Sequence, residues 1–195
     1  MITFEQFISE KIVTDYSKEN TNTMGAFVFG RMNPPTIGHE KLIKIAVQLA
    51  EEQGRDLFVF LSNNSPTHIV SGRQAADENM QKSHRRQARE NPLEYDFKLN
   101  LISNEFKNVK FVDDKMAGNP FGAGYWLRDH GFKDVVLFCG EDRVAQYEAQ
   151  FRDYVKEWAD DPEDLSFRFD KFGVQSLGMR SGDSSDPTEA ASGTQ

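Results

Sequence analysis

Ala26-Phe27-Val28-Phe29 runs without a break into Gly30-Arg31-Met32-Asn33-Pro34-Pro35-Thr36-Ile37-Gly38-His39, and a helix-patterned stretch over 40–52 follows. The apolar run predicts a buried strand, the Gly- and Pro-shaped segment a turn, and the periodic run a helix. A strand that feeds a turn opening a helix gathers unpaired backbone N–H groups and the positive end of the helix dipole at one point, which suits a phosphate. Thr36 and His39 are three residues apart at that helix start, so both can face one anion. Gly38 between them carries no side chain and lets a ligand approach the backbone. A plainer reading stands beside this one: a Pro-Pro turn before a helix capped by Thr36 needs no ligand.

Outward from this stretch, the pattern alternates between strands and helices. The helix after His39 is expected to bury Leu42, Ile45, Ala46, Leu49 and Ala50, and Gly54 to end it. Strands are predicted over 57–61, 109–112 and 135–138, and helices over 93–106, 122–130 and from about 141 with Val144, Tyr147, Phe151 and Tyr154 inward. Fully apolar short strands suit a parallel sheet covered on both faces. The fold expected is therefore α/β, a doubly wound parallel sheet, with ligands at the carboxyl ends of its strands. Arg31, Thr36, His39, Gly140, Asp142 and Arg143 all fall just beyond such ends.

Other segments are less regular. Residues 3–12 read as a short helix with Phe4, Phe7 and Ile8 on one face, and 14–23 as a polar linker. Residues 62–90 form a long polar stretch, helical in part over 75–90, where Lys82, His84, Arg85, Arg86 and Arg89 make either a solvated face or a basic flap. Gly118-Asn119-Pro120-Phe121-Gly122-Ala123-Gly124 reads as a turn, 160–164 as an acidic turn, 165–169 as an edge strand, and 181 onward as a loop.

Composition narrows the function classes. With 195 residues, 38% hydrophobic content and 16 Phe, the chain can bury one sizeable core. A net charge of −8 argues against non-specific nucleic-acid binding, so any phosphate site must be made positive locally. The single cysteine, Cys139, excludes an internal disulfide and sits in an apolar strand, where packing explains it. No apolar run approaches membrane-spanning length and no secretory leader is evident, so a cytoplasmic location is expected. A P-loop string is absent, and Cys and His spacing offers no zinc site.

The string from Gly30 to His39 resembles the first signature of the cytidylyltransferase-like nucleotidyltransferases, in its Thr-x-Gly-His form as in phosphopantetheine adenylyltransferases. The Gly-Arg-Met-Asn-Pro portion is similar to nicotinamide mononucleotide adenylyltransferases, with Met32 in place of Phe. Asp134-Val135-Val136-Leu137-Phe138-Cys139-Gly140-Glu141-Asp142-Arg143 resembles the family's buried strand ending in Gly-x-Asp-Arg. Asn91-Pro92-Leu93-Glu94-Tyr95, with Lys98, resembles a segment of phage-encoded members.

The resemblance implies transfer of a nucleotidyl group from a nucleoside triphosphate, ATP before CTP, to a phosphorylated small-molecule acceptor, with release of pyrophosphate. It implies Thr36 and His39 as catalytic residues. It implies Gly30, Arg31, Asn33, Gly38, Gly140, Asp142 and Arg143 as nucleotide contacts, with N-capping of the next helix or a surface ion pair as plainer roles for the last two. Mg²⁺ would bridge the phosphates through water and substrate oxygens, so no protein metal-ligand set is expected. The family's third signature, Ile-Ser-Ser-Thr-x-x-Arg, is resembled only at its start by Ser192 and Thr194, after which the sequence ends at Gln195. A C-terminal truncation is the expectation. The first ten residues resemble capsid-targeting leaders of phage internal proteins, although a plain amphipathic helix accounts for them too. The division expected is 1–23 as helix and linker, 24–180 as the nucleotidyltransferase domain, and 181–195 as a tail. The competing classes are a non-catalytic nucleotide-binding protein, virion-packaged or not, and an RNA-modifying enzyme using the basic 82–89 segment. A membrane partner is not expected, nucleic acid is disfavoured, and an oligomer stays open.

Overall fold

The computed structural model describes residues 12–13, 22–63, 86, 92–106, 109–158 and 169–178. Its strands are β1 (Ile12–Val13), β2 (Met24–Gly30), β3 (Asp56–Leu61), β4 (Lys110–Val112), β5 (Asp134–Cys139) and β6 (Lys171–Ser176). Its helices are α1 (Ile37–Glu52), α2 (Tyr95–Glu105), α3 (Pro120–Asp129) and α4 (Glu141–Trp158), with a 3₁₀ turn at Lys115–Ala117. The strands form one sheet in the order β1-β4-β3-β2-β5-β6, every pairing parallel. Apart from the two-residue β1, this is the doubly wound order in which strand sequence reverses about β2. β2 is central: Gly25 to Gly30 pair with Asp56 to Leu61 on one side, and Met24 to Val28 with Asp134 to Phe138 on the other.

The strand alternation divides the core in two. Ala26 and Val28 of β2, with Val59, Leu61 and Phe111, face α1 and α2 through Ile43, Ala46, Ala50, Leu99 and Ile102. Phe27, Phe58, Phe60, Val135 and Leu137 face the opposite layer, with Trp126 and Leu127 of α3 and Phe151 of α4. Small β2 residues let α1 lie close, while the other layer is filled by rings. Trp126 packs 5.3 Å from Phe58 and 5.6 Å from Phe60, and Phe132 lies 5.2 Å from Phe58. Such ring pairs add about 0.5–1.5 kcal/mol each beyond burial. The amino edge of the sheet is closed by ion pairs, Arg55 to Asp134 and Lys110 to Asp56, both at 2.8 Å.

Several expectations change. Ile12 lies in an edge strand beside β4 rather than in a helix, because the exposed edge there offers it ladder partners. The buried face of α1 is Ile43, Ala46 and Ala50; Leu42 and Leu49 are partly buried, and Ile45 is 42% exposed. The stripe is rotated because the side chains beneath α1, Ala26 and Val28, accept close small residues. The stretch 118–124 is not a turn throughout: α3 begins at Pro120, capped by Asn119, whose Oδ1 accepts from Gly122 N at 2.9 Å. A Cβ on Gly122 would stand 2.5 Å from the Met116 carbonyl oxygen, so glycine there permits close approach inside the helix. The sixth strand is Lys171–Ser176, beyond the stretch expected; Phe169 precedes it outside any strand. Phe172 and Val174 draw it onto the aromatic layer. The expected helix over 3–11, the linker over 14–21, the acidic turn over 160–164, the stretch 165–168 and the tail from 181 lie outside the described residues. So does most of 62–90, including Lys82, His84, Arg85 and Arg89, whereas Arg86 is exposed.

Candidate active site

The carboxyl ends of β2, β3, β4 and β5 open on one edge of the sheet, and the β2–α1 turn lies at its centre. The turn is held by its own residues. Met32 adopts φ 44°, a left-handed conformation uncommon for a branched or long side chain, and is 1% exposed. Its side chain lies over Gly30: a Cβ on Gly30 would meet Met32 Cε at 3.0 Å. Gly30 therefore makes room first for Met32, and Met32 anchors the turn in the core. Asn33 follows, its Nδ2 donating to the Leu93 carbonyl and its Oδ1 accepting from Leu93 N, each at 2.9 Å. Asn33 thus acts as a clamp to the segment entering α2. The Asn33–Pro34 peptide is cis.

At the helix start Thr36 is the N-cap, and its carbonyl accepts from His39 N at 2.9 Å and Glu40 N at 3.1 Å. The ring of His39 turns back on it. Thr36 N donates to His39 Nδ1 at 3.1 Å, and Thr36 Oγ1 lies 2.8 Å from the same nitrogen. The imidazole takes the place that Glu or Gln holds in a capping box. A nitrogen accepting from a backbone N–H carries no proton in the neutral ring. The network therefore assigns the proton to Nε2 and makes that nitrogen the ring's donor. One hydrogen-bond set both caps the helix start and orients the imidazole. Position alone leaves the amides of Ile37 and Gly38 without an intrahelical acceptor.

The second flank is the β5–α4 junction. Gly140 is buried and its carbonyl accepts from Arg143 N at 2.9 Å, so the helix begins at Glu141 and Asp142 lies within its first turn rather than capping it. Glu141 N donates to the Gly178 carbonyl at 3.1 Å. Arg143 Nε is 3.5 Å from Asp142 Oδ2, the surface ion pair expected of it. Arg31, just beyond β2, is exposed. Ser192 and Thr194 lie outside the described residues.

One residue had no role assigned from sequence. Lys98 on α2 is fully buried, and its Nζ donates to the carbonyl of Ser62, to that of Arg31 at 3.2 Å and to Ser62 Oγ at 3.4 Å. Burial lowers its ammonium from the ordinary 10.5 to about 8. The available signal was its place on the apolar face of α2 with Tyr95, Leu99 and Ile102, where a lysine is out of pattern. Beside it, burial raises the Tyr95 phenol and the Asp113 carboxylate raises it further, while its hydroxyl donates to the Val112 carbonyl at 3.2 Å. Asp113 is raised by burial and then by Asp96. Among the described residues no three His, Cys, Asp or Glu side chains gather as a metal-binding set, and no helix is long and apolar enough to cross a membrane.

A strand–turn–helix with an oriented imidazole thus lies at the switch point of a parallel sheet, where open α/β folds place their ligands. The family model described as cytidylyltransferase-like matches residues 27–167, and the chain belongs to that family. Membership implies nucleotidyltransferase chemistry on a nucleotide substrate. Neither a curated protein nor a solved structure matches the chain.

Proposed function

We propose that this chain transfers a nucleotidyl group from a nucleoside triphosphate to a phosphorylated small-molecule acceptor, releasing pyrophosphate. The observation that carries the reading is the His39 ring, held at Nδ1 by Thr36 so that Nε2 donates at the start of α1. An acceptor phosphate oxygen attacks the α-phosphorus, and the bond from that phosphorus to the bridging oxygen breaks. The electron pair leaves with pyrophosphate, and no bond to the protein forms. The protein's part is positioning and charge stabilisation. His39 Nε2–H, the Ile37 and Gly38 amides and Arg31 would meet the charge that builds on the phosphates. Thr36 contributes by fixing the ring. Mg²⁺ belongs to this scheme as part of the Mg–nucleotide substrate, coordinated largely by phosphate and water.

Asp142, at the other flank, is suited to ribose hydroxyls, and Gly140 leaves space at the strand end. Adenylyl is preferred to cytidylyl because Gly30-Arg31-Met32-Asn33-Pro34 and Thr36-Ile37-Gly38-His39 are more similar to the adenylyltransferase forms of the signature. The test is calorimetric titration of Mg–ATP and Mg–CTP into the protein and into His39→Ala, followed by pyrophosphate release with phosphorylated acceptors. Binding of one nucleotide and turnover with one acceptor class, both weakened in His39→Ala, are expected. Binding with no turnover across acceptors would point to a non-catalytic nucleotide-binding protein, and no binding would overturn the reading.

A further inference from the structure

The ammonium of Lys98 sits where two strand exits meet. Arg31 follows β2 and Ser62 follows β3, and Lys98 Nζ bonds the main-chain oxygens of both. Ser62 N in turn donates to the Gly30 carbonyl at 3.0 Å. Asn33 is tied to Leu93, five residues before Lys98, so the segment from Leu93 to Lys98 grips both ends of the Arg31–Asn33 turn. That turn leads directly into the helix start at Thr36. Three acceptors satisfy the hydrogen-bonding of the ammonium but do not neutralise its charge. Among the described residues the ion pairs involve other lysines and arginines.

The charged and titratable groups on the surrounding elements are Arg31 beyond β2, Asp113, Asp114 and Lys115 beyond β4, and Glu94, Tyr95 and Asp96 at the start of its own helix. Lys115 is paired with Asp96 at 3.1 Å. The acid of β3, Asp56, is at the far end of that strand with Lys110. The cause of Lys98's lowered affinity for its proton is burial. A buried cation without a counter-charge is costly unless something supplies one.

We propose that Lys98 is a positioning residue of the nucleotide site: it fixes the Arg31 and Ser62 main chain at the mouth, and its buried charge is counterbalanced by the phosphates of the bound nucleotide. This rests on the nucleotidyltransferase reading above. Linkage then makes a specific demand. If the nucleotide favours the charged form, binding raises the pKa of Lys98, and affinity falls by the same factor as pH passes above the free protein's value. A purely structural lysine, bonded to two carbonyls in both states, makes no such demand.

The experiment is an NMR titration of the Lys98 side chain between pH 7 and 10.5, with and without Mg–ATP or Mg–CTP, together with nucleotide affinity over the same range. The expected result is a midpoint near 8 in the free protein, raised by roughly one unit when nucleotide is bound, and a roughly tenfold loss of affinity across that interval. Lys98→Arg, which stays charged, is expected to retain affinity and lose this pH dependence. Lys98→Met, checked for folding by circular dichroism, is expected to bind weakly with a flat profile. An unchanged Lys98 midpoint on nucleotide binding overturns the proposal while leaving the nucleotidyltransferase reading intact. So does the wild-type pH slope in a folded Lys98→Met. Failure of the wild-type protein to bind either nucleotide overturns both.

Discussion

Two helices begin at the carboxyl edge of the sheet beside its central strands, and their first turns differ in charge. α1 opens with Thr36, Ile37, Gly38 and His39 and has no acid before Glu40, which is paired with Lys44. α4 opens with Glu141 and Asp142. Its first amide is bonded to Gly178, and Arg143 is beside Asp142. Both helices direct a positive dipole end at the same edge. At α4 that end is already complemented by the helix's own carboxylates, whereas α1 presents amides and an imidazole donor. Behind the α1 turn, moreover, stands the buried Lys98. A helix start alone therefore does not make a phosphate site; its first-turn side chains decide. Under the proposed function, phosphates belong at α1 and uncharged hydroxyl groups at α4.

His39→Ala tests the comparison most severely. Removing a donor aimed at developing charge is expected to lower turnover by about 10²- to 10³-fold, measured as pyrophosphate release, with the circular dichroism spectrum unchanged. A loss below tenfold would break the assignment of α1.

Lys98 is next in size. The unfolded chain keeps this proton up to about 10.5 and the folded chain only to about 8. Between those values unfolding takes up a proton, so rising pH favours the folded state. Relative to Lys98→Met, wild-type stability is expected to rise by about 3 kcal/mol from pH 8 to 10.5. Denaturant midpoints of the two proteins across that range measure it, and parallel profiles would deny Lys98 its burial cost.

Gly38→Asp makes the start of α1 resemble that of α4. A carboxylate facing the nucleotide phosphates is expected to weaken Mg–ATP binding by at least about tenfold, read by calorimetry. Asp142→Asn is the converse and the gentlest change. It removes charge but keeps hydrogen-bonding atoms, so an effect of only about two- to fivefold on nucleotide affinity is expected. An effect equal to that of His39→Ala would move phosphate handling to α4.

The α/β architecture was legible because each element carries its own signal. The apolar runs at 26–29, 57–61 and 135–138 are strands, and the 3.6-residue periods between them are helices. The turn from Gly30 to His39 was legible for the same reason, since its Pro, Thr and His act on neighbours three residues away. Longer-range features were not. Asn33 was expected to touch nucleotide, and its side chain clamps Leu93, sixty residues later. Gly30 was expected as a nucleotide contact, and the Met32 side chain packs over it. Ile45 was expected inside and is exposed, because the rotation of α1 depends on what Ala26 and Val28 leave open.

By itself, then, the sequence determined the parallel α/β class and the turn that brings Thr36 and His39 together at a helix start, since local propensity and short spacing suffice for both. Only the tertiary structure decided that Lys98 joins the exits of β2 and β3 beneath that start, and that Met32 packs over Gly30. Those choices depend on contacts between segments far apart in the chain, whose packing no local pattern encodes.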